Sequence, residues 1–446
     1  MERTSTRDAV FIRTKHPYRL ISANPHFTGD DQICACKAGD RVRGENGLRV
    51  LSVYEGFFTG GARIVHSDVV LGLAEGGGRH RQRVLSVYAE VQREATRQRM
   101  EDDACYRALT GAGVGVTSLG RTFAGADRGD PAAFSGPELA ETARVMAGAD
   151  VILSLKEQPL ALLNQAGLPR RPVVVCLHRS DPENQGAALD DLRAAIADGT
   201  VVACVCCADS TRAAYEAAGI PSGLLHVIPN GVDLLRFRPD PARRLAIRSA
   251  LGIPSTAPVV VFAARYDAMK NVPLFLRAAR EWLRREPEGH VLMCGAGMTP
   301  ANGALRADVE SAFGTEHRPT DRLHLLGIRR DMEVVHAGAD VVALTSSWGE
   351  AAPLSLIEGM MCGAVPVATD VGDSAAIVNG HGALTPPDPE AIAQAWTDAV
   401  ADRPALTPLL TASRERFSRT RMIASYATLL DRVHAGAARS TLPEPH

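Results

Sequence analysis

Lysine is scarce in this chain. Of 49 basic residues among 446, four are lysine, at positions 15, 37, 156 and 270, and the rest are arginine. The bias to arginine, alanine and glycine points to a GC-rich bacterial genome, and it makes each lysine a departure from the chain's own habit. Long apolar runs are missing too. No stretch approaches the ~20 residues that cross a bilayer, and the opening segment MERTSTRDAVFIRTKH has no signal-peptide apolar core. A cytoplasmic location is expected, with membrane association at most peripheral. Excess charge of either sign is also lacking. A formal net charge of −2 argues against nucleic acid or an anionic membrane as the main partner. The one compact basic patch, RHRQR at 79–83, reads as a solvated loop after the first helix.

The cysteine pattern excludes more. There are nine, an odd number, and Cys204, Cys206 and Cys207 sit inside the apolar run TVVACVCCADS, where they suit small buried hydrophobes. Cys34 and Cys36 form CAC without a second pair at zinc-ligand spacing. Reduced thiols, no disulfide and no metal are therefore expected. No serine–histidine–aspartate set with a nucleophile elbow occurs. CGAGMTP at 294–300 matches a dinucleotide fingerprint only in part, and TGAGVGVTSLG at 110–120 reads as a turn and a short strand. What remains is a chain with 46% hydrophobic and 22% charged residues, an ordinary globular composition with length for two or three domains.

Strand-like and helix-like segments alternate along it. After a poorly patterned extension, 1–47, GLRVLSVYEG reads as a first strand, and FFTGGARIVHSDVVLGLAEGGG as a glycine turn followed by a helix. Further strands are expected at 150–155, 172–177 and 200–207. HVIPNGVDLLRFRPDPARR at 226–244 then breaks the pattern with proline, glycine and charge. Alternation resumes with APVVVFAAR, GHVLMCGAG, RLHLLGI, DVVALTSS and AVPVATD. Two such halves mean two α/β domains with parallel sheets, spanning 48–235 and 236–406. A closing helix over 407–436 packs back on the first. Ligands of open α/β sheets bind outside the carboxyl ends of the strands, so two facing halves make a cleft.

The densest chemistry lies in WGEAAPLSLIEGMMCG, 348–363. A strand ends near Trp348, Gly349 to Pro353 form a turn, and a helix follows with apolar positions Leu354, Ile357, Met360 and Met361. Pro353 suits the first helical turn and Gly363 the stop. The free amides near Ala351, Ala352, Pro353 and Leu354 offer an anion site. Glu350 in the turn and Glu358 about two turns into the helix can each accept hydrogen bonds from a diol, ribose for one and sugar for the other.

This block, EAAPLSLIEGMMCGAVPVA with its continuation TDVGDSAAIV, resembles the donor-site motif of the retaining glycosyltransferases of family 4, whose pattern is a glutamate, seven residues and a second glutamate in a frame like EGFPLVLLEAMACGVPVV. The pattern can be followed from about residue 48 to the last helix. Small residues at Ala351 and Ala352, and glycine at 359, depart from it. The resemblance implies an α/β, GT-B fold, two Rossmann-like domains facing across a cleft. It implies a nucleotide-sugar donor, UDP- or GDP-linked, with no cofactor and no metal, and a glycan, lipid-linked or small-molecule acceptor. Arg265 and Lys270, in VVVFAARYDAMKN, match the family's cations for the donor diphosphate, where negative charge builds as the leaving group departs; Asp267 beside them suits orienting Arg265. Glu358 would take the ribose and Glu350 the sugar hydroxyls.

In the first half, Gly60 and Gly61 match the family's double glycine at the donor phosphates or the acceptor, and Arg63 stands where a glutamate is common. His178, ending PVVVCLH, matches a histidine near the reacting sugar carbon. Lys156, at the end of VILSL and followed by Glu157, is assigned to the acceptor side, facing a phosphate or carboxylate. Gly295 and Gly297 neighbour the nucleotide base. The reading is a retaining, metal-independent transferase of hexosyl or N-acetylhexosaminyl groups in cell-surface glycan or secondary-metabolite assembly. Its rivals are an inactive GT-B scaffold, which would have lost the four ligands Arg265, Lys270, Glu350 and Glu358, and a GT-B sugar-nucleotide epimerase, for which no clear pattern is present.

Overall fold

A computed structural model of the protein describes residues 47–58, 60–93, 96–124, 133–314 and 321–440. The expected extension at 1–47, including Cys34 and Cys36, lies outside them apart from Gly47.

Apolar runs of five or six residues, rich in valine, build two sheets. The first holds β1 (Leu48–Gly56), β2 (His80–Arg93), β3 (Thr96–Arg99), β4 (Gly115–Ala124), β5 (Val151–Leu155), β6 (Val173–Leu177), β7 (Val201–Cys206) and β8 (Leu225–Val227). The spatial order is β4-β2-β1-β5-β6-β7-β8, parallel throughout, while β3 turns back antiparallel on residues 90–93 of β2. The second sheet, β9 (Val259–Ala263), β10 (His290–Cys294), β11 (Leu323–Gly327), β12 (Val341–Leu344), β13 (Val365–Thr369) and β14 (Ala383–Thr385), runs β11-β10-β9-β12-β13-β14, also parallel. Strands β5, β6, β10, β12 and β13 are buried along their whole length, which is why they read as continuous apolar runs rather than alternating ones.

Strand order reverses beside β1 in one sheet and beside β9 in the other. The loops that follow β1, β5, β9 and β12 therefore open at topological switch points, where open sheets bind ligands. These are the loops that carry Gly60 and Gly61, Lys156, Arg265 and Lys270, and Glu350. Behind the second sheet, Phe262 stacks on Phe275 with centroids 4.3 Å apart, and Trp282 meets Trp396 edge-on, a rigid support for β9, which leads into Arg265.

Two sequence expectations are corrected. RHRQR is not a solvated loop: His80 to Arg83 begin β2, with His80 and Gln82 buried and Arg81 and Arg83 exposed. Its period of two was hidden because the inward residues are polar. His80 Nε2 lies 3.0 Å from Asp431 Oδ1, and Arg79 pairs with the same carboxylate. The closing helix over 407–436 is also not one element. Helix Pro389–Ala412 ends, a short 3-10 turn Arg414–Phe417 follows, and helix Arg419–Ser440 lies against helix Gly61–Glu75. The break has a cause at Ser418. Its backbone is extended so that the chain bridges Val232, with Val232 N–H donating to Phe417 O at 2.8 Å and Arg419 N–H to Val232 O at 3.0 Å. The outward crossover at 228–233 and the return at 417–419 thus run side by side. A Cβ on Gly231 would stand 2.5 Å from Ser418 O, so only glycine permits that approach.

Candidate active site

A cavity of about 800 Å³ opens between the carboxyl ends of the two sheets, and every residue singled out above as a donor or acceptor ligand lines it except Gly297. From the second half come Arg265, Lys270, Gly295, Glu350, Ala351, Ala352, Pro353, Leu354 and Glu358; from the first, Gly60, Gly61, Lys156 and His178.

After β9 the chain makes a short turn whose geometry Asp267 fixes. Its Oδ1 accepts from Met269 N–H at 2.9 Å, and its Oδ2 lies 2.7 Å from Arg265 Nη1. Burial raises the pKa of this carboxyl, but the neighbouring Arg265, the Met269 amide, Lys270 and Arg179 more than offset it, holding the group below the ordinary carboxylate range. Lys270 then projects onto Glu350, and the two form an ion pair; Ser346 Oγ donates to the same Glu350 oxygen at 2.6 Å. The sequence assigned Lys270 to phosphate and Glu350 to sugar, and the fold puts both in contact. Thr345 Oγ1 donates to Lys270 O at 3.1 Å and Ser347 N–H to Met269 O at 2.9 Å, so the loops after β9 and β12 are locked together. Asn271, left-handed at φ 49°, caps helix Val272–Arg285 through Leu274 N–H.

Helix Leu354–Met361 begins just after Pro353, one residue later than the sequence suggested, with no side-chain cap and no acid in its first turn. Its leading amides are left for a ligand. Glu358 is buried on the cleft side, with His336 Nε2 3.6 Å from its Oε2 behind it. Gly295 answers to packing: at φ 139° its missing side chain would lie 2.0 Å from Ala264 O, so it lets the Arg265 loop pass. Gly349, at φ 70°, does the same for Arg179.

On the facing wall, Gly60 is the extended cap of helix Gly61–Glu75, again without a side-chain cap or an acid in the first turn. Gly61 faces Leu354, whose Cβ would be 3.4 Å from an added Cβ. Two bare helix N-termini therefore meet across the cleft, each with its positive dipole end toward the other. Arg63 pairs with Asp103, the cap of helix Ala104–Gly111, and both line the cavity. Lys156 sits at φ 67°, with Ser154 Oγ donating to its carbonyl at 2.8 Å. His178 Nε2 is buried without a hydrogen-bond partner. Burial and then Lys156 push its pKa down to about 3, so the ring is neutral near pH 7; burial and then His178 do the same to His66, also to about 3.

The sequence reading missed several residues that the fold brings to the same place. Arg179 and Asp181 form a two-bond pair, Nε to Oδ1 at 2.6 Å, seated against Gly349. Ser180 Oγ donates to Glu350 O, Asn230 Nδ2 to Ala352 O at 3.1 Å, and Asp373 accepts from Asp209 and Ser210 N–H at 3.0 and 2.9 Å. The signal for Ser180 was its place in HRSD, directly after a strand end. Nothing local marked Asn230. Among the described residues no group of three or more acidic, histidine or cysteine side chains is placed to hold a metal ion. Seven described cysteines are free, Cys204, Cys206 and Cys207 all buried as expected, and no described helix is long and apolar enough to cross a membrane.

Residues 257–402 match the family described as Glycosyl transferases group 1. D-inositol 3-phosphate glycosyltransferase of Saccharomonospora viridis is 34% identical over 218 residues, 48% of this chain and 48% of that protein. The enzyme of the same name from Nocardia farcinica is 31% identical over 167 residues, 37% and 36% of the two chains. The chain thus spans about half the length, or less, of these curated relatives. Anabaena HepE in complex with UDP-glucose superposes with a TM-score of 0.68 at 20% identity, over 86% of this chain and 100% of that one. Sucrose-phosphate synthase from Thermosynechococcus elongatus gives 0.62 at 19%, over 87% and 100%. The fold is GT-B, two Rossmann-like domains facing across a cleft.

Proposed function

We propose that the protein transfers a sugar, with retention of anomeric configuration, from a nucleotide sugar to an acceptor hydroxyl, without a metal. The observation that carries this reading is the convergence of Arg265, Lys270, Glu350 and Glu358 on the bare N-terminus of helix Leu354–Met361. Arg265, Lys270 and the leading amides hold the diphosphate, Glu358 accepts from the ribose hydroxyls, and Glu350 accepts from hydroxyls of the sugar. The acceptor hydroxyl enters from the Lys156 and His178 wall. Its oxygen bonds to the anomeric carbon on the face that the diphosphate leaves, the bond from that carbon to the phosphate oxygen breaks, and the acceptor proton passes to a departing phosphate oxygen. Charge grows on the leaving group as this happens, and fixed donors stabilise it because they need no reorganisation. Neutral His178 offers hydrogen bonding without adding charge.

The family match over 257–402 supports sugar transfer, the curated relatives support a polyol-phosphate acceptor among the small-molecule class, and HepE with UDP-glucose supports a UDP-sugar donor. A cytoplasmic site of action is part of the same proposal. The test is to incubate the protein with UDP-, GDP-, ADP- and dTDP-sugars and measure nucleotide release with and without candidate acceptors, followed by the anomeric configuration of the product. If no donor binds, or if Lys270→Ala and Glu358→Ala leave turnover of a donor that does bind unchanged, the reading fails.

A further inference from the structure

The turn that presents Glu350 is held from the opposite half of the molecule. Its three successive carbonyls are all occupied: Glu350 O accepts from Ser180 Oγ, Ala351 O from Asp373 N–H at 2.9 Å, and Ala352 O from Asn230 Nδ2 at 3.1 Å. Ser180 follows β6, and Asn230 lies three residues beyond β8, at the start of the outward crossover from the first sheet's half. Asp373 belongs to the second half, but its carboxylate reaches the other way. It accepts from Asp209 and Ser210 N–H, capping helix Asp209–Ala217, which has no side-chain cap of its own. Glu350 O also has no slack on its other side, because an added Cβ on Gly372 would stand 2.3 Å from it.

Two of this chain's departures from the glycosyltransferase pattern, Ala351 and Ala352, fall at the same point. Ala351 packs with Cys207 and Ala208 of the first half in a small buried cluster, with Ala352 at its edge. A larger side chain at 351 would hold Cys207 and Ala208 away from the turn. Alanine there lets the hydrogen bonds from Ser180 and Asn230 form.

We propose that Ser180, Asn230 and Asp373 form a clasp that positions Glu350, so that the sugar-reading carboxylate is correctly set only when the two halves are docked. Ser180 and Asn230 are positioning residues, since they touch main-chain carbonyls and not the donor. The loop that carries Ser180 begins at His178 on the acceptor wall, so occupation of that wall is linked to the placement of Glu350 through two residues of chain and one hydrogen bond. This inference rests on the assignment of Glu350 to the donor sugar.

Two measurements test it. The first is hydrogen exchange on the ligand-free protein carrying Ser180→Ala and Asn230→Ala together. The amides at 209–210 and at 373, which donate within the clasp, should exchange at least about tenfold faster than in the parent, while those of β9, β12 and β13 keep their protection. Unchanged exchange at both segments overturns the clasp, and so does a uniform loss across the sheets, which would mark general destabilisation. The second uses the donor identified by nucleotide release. Each single variant should lower kcat for transfer by about tenfold, the weight of one hydrogen bond, with affinity for the free nucleoside diphosphate unchanged and with Ser180→Thr restoring most of the loss. Equal losses in kcat and nucleotide affinity, or no rescue by threonine, overturn the positioning role. A parent protein that turns over no nucleotide sugar sinks the transferase reading, and the exchange result still decides the clasp.

Discussion

Lys270→Met strands a buried carboxylate. Glu350 is 5% exposed, and its ion-pair partner is Lys270, with Ser346 as a second donor. Removing one member of a buried pair costs about 3–5 kcal/mol, because the remaining charge is left without a counter-charge. The Ser346 hydrogen bond survives, and the Lys270 side chain is not fully enclosed, so the lower end, about 3 kcal/mol, is expected. At roughly 2–4 °C per kcal/mol for a unit of this size, Tm should fall by about 6–12 °C. Adding Glu350→Gln removes the stranded charge while keeping its volume and its bond to Ser346. The double variant should therefore recover most of the lost stability, to within about 1 kcal/mol of the parent. Its turnover should stay about 10²–10³-fold down, the usual cost of a lost transition-state donor. Thermal melts followed by circular dichroism and nucleotide release give the two readouts. A single variant that melts within a degree of the parent refutes the energetic argument. Recovery of turnover in the double variant removes both side chains from the chemistry.

Three further outcomes are expected. Glu358→Gln should weaken the charge-assisted contact proposed for ribose, so calorimetric affinity for the free nucleoside diphosphate should fall by about tenfold or more at unchanged Tm; equal affinity would take Glu358 away from the ribose. Gly295→Ala drives a Cβ into Ala264 O in a left-handed conformation and should cost about 3 kcal/mol or more in urea unfolding, so a variant as stable as the parent would contradict the observed packing. His66 gives a pH dependence: its folded pKa near 3 lies below the ~6.5 of an unfolded histidine, so the unfolded chain takes the proton first. Its contribution is whole above pH ~6.5 and is lost as pH falls toward 3, about 2 kcal/mol by pH 5. His178, held at a similar pKa, adds in the same direction. Urea unfolding at pH 7 and pH 5 measures the sum, and His66→Gln should reduce the difference.

The buried parallel strands were legible because continuous valine-rich runs of five or six residues leave little else to form. β5, β6, β7 and all but the last strand of the second sheet follow from that pattern. β2 did not, since its inward positions at His80 and Gln82 are polar and its outward ones are arginines, so the alternation carried no hydrophobic signal. β14 has three residues, too few for any period to show. In the cleft, legibility followed chemistry: charged side chains in a known frame, such as Arg265, Lys270, Glu350 and Glu358, could be picked out one by one. Ser180, Asn230 and Asp373 could not, because their side chains act on main-chain carbonyls or amides brought near by the fold across 122 to 170 positions of sequence. Small polar residues in loops are too common to be marked by type alone.

The Lys270–Glu350 pair bears on how a donor enters. Without ligand, Lys270 offsets a buried carboxylate that would otherwise sit uncompensated, and the proposed clasp would keep that carboxylate from retreating. On the proposed donor assignment, a nucleoside diphosphate would bring negative charge of its own to the bare N-terminus of helix Leu354–Met361, beside Arg265. Lys270 would then have a second anion to serve, and the Coulomb gain of doing so is large in a cavity walled by protein. With Lys270 drawn toward phosphate, Glu350 would lose its strongest donor and need others, and sugar hydroxyls are the donors that the proposed ligand supplies. Binding of the diphosphate and reading of the sugar would then be two halves of one exchange of partners. A free nucleoside diphosphate would perform only the first half and leave Glu350 short of donors. For that reason the intact nucleotide sugar should bind more tightly than its diphosphate in the parent protein, and this preference should shrink in Glu350→Gln, where no charge is left unpaired. Competition titrations of the two ligands against both proteins measure the difference. A preference that survives the substitution unchanged would break the link between Lys270 and Glu350 in donor recognition.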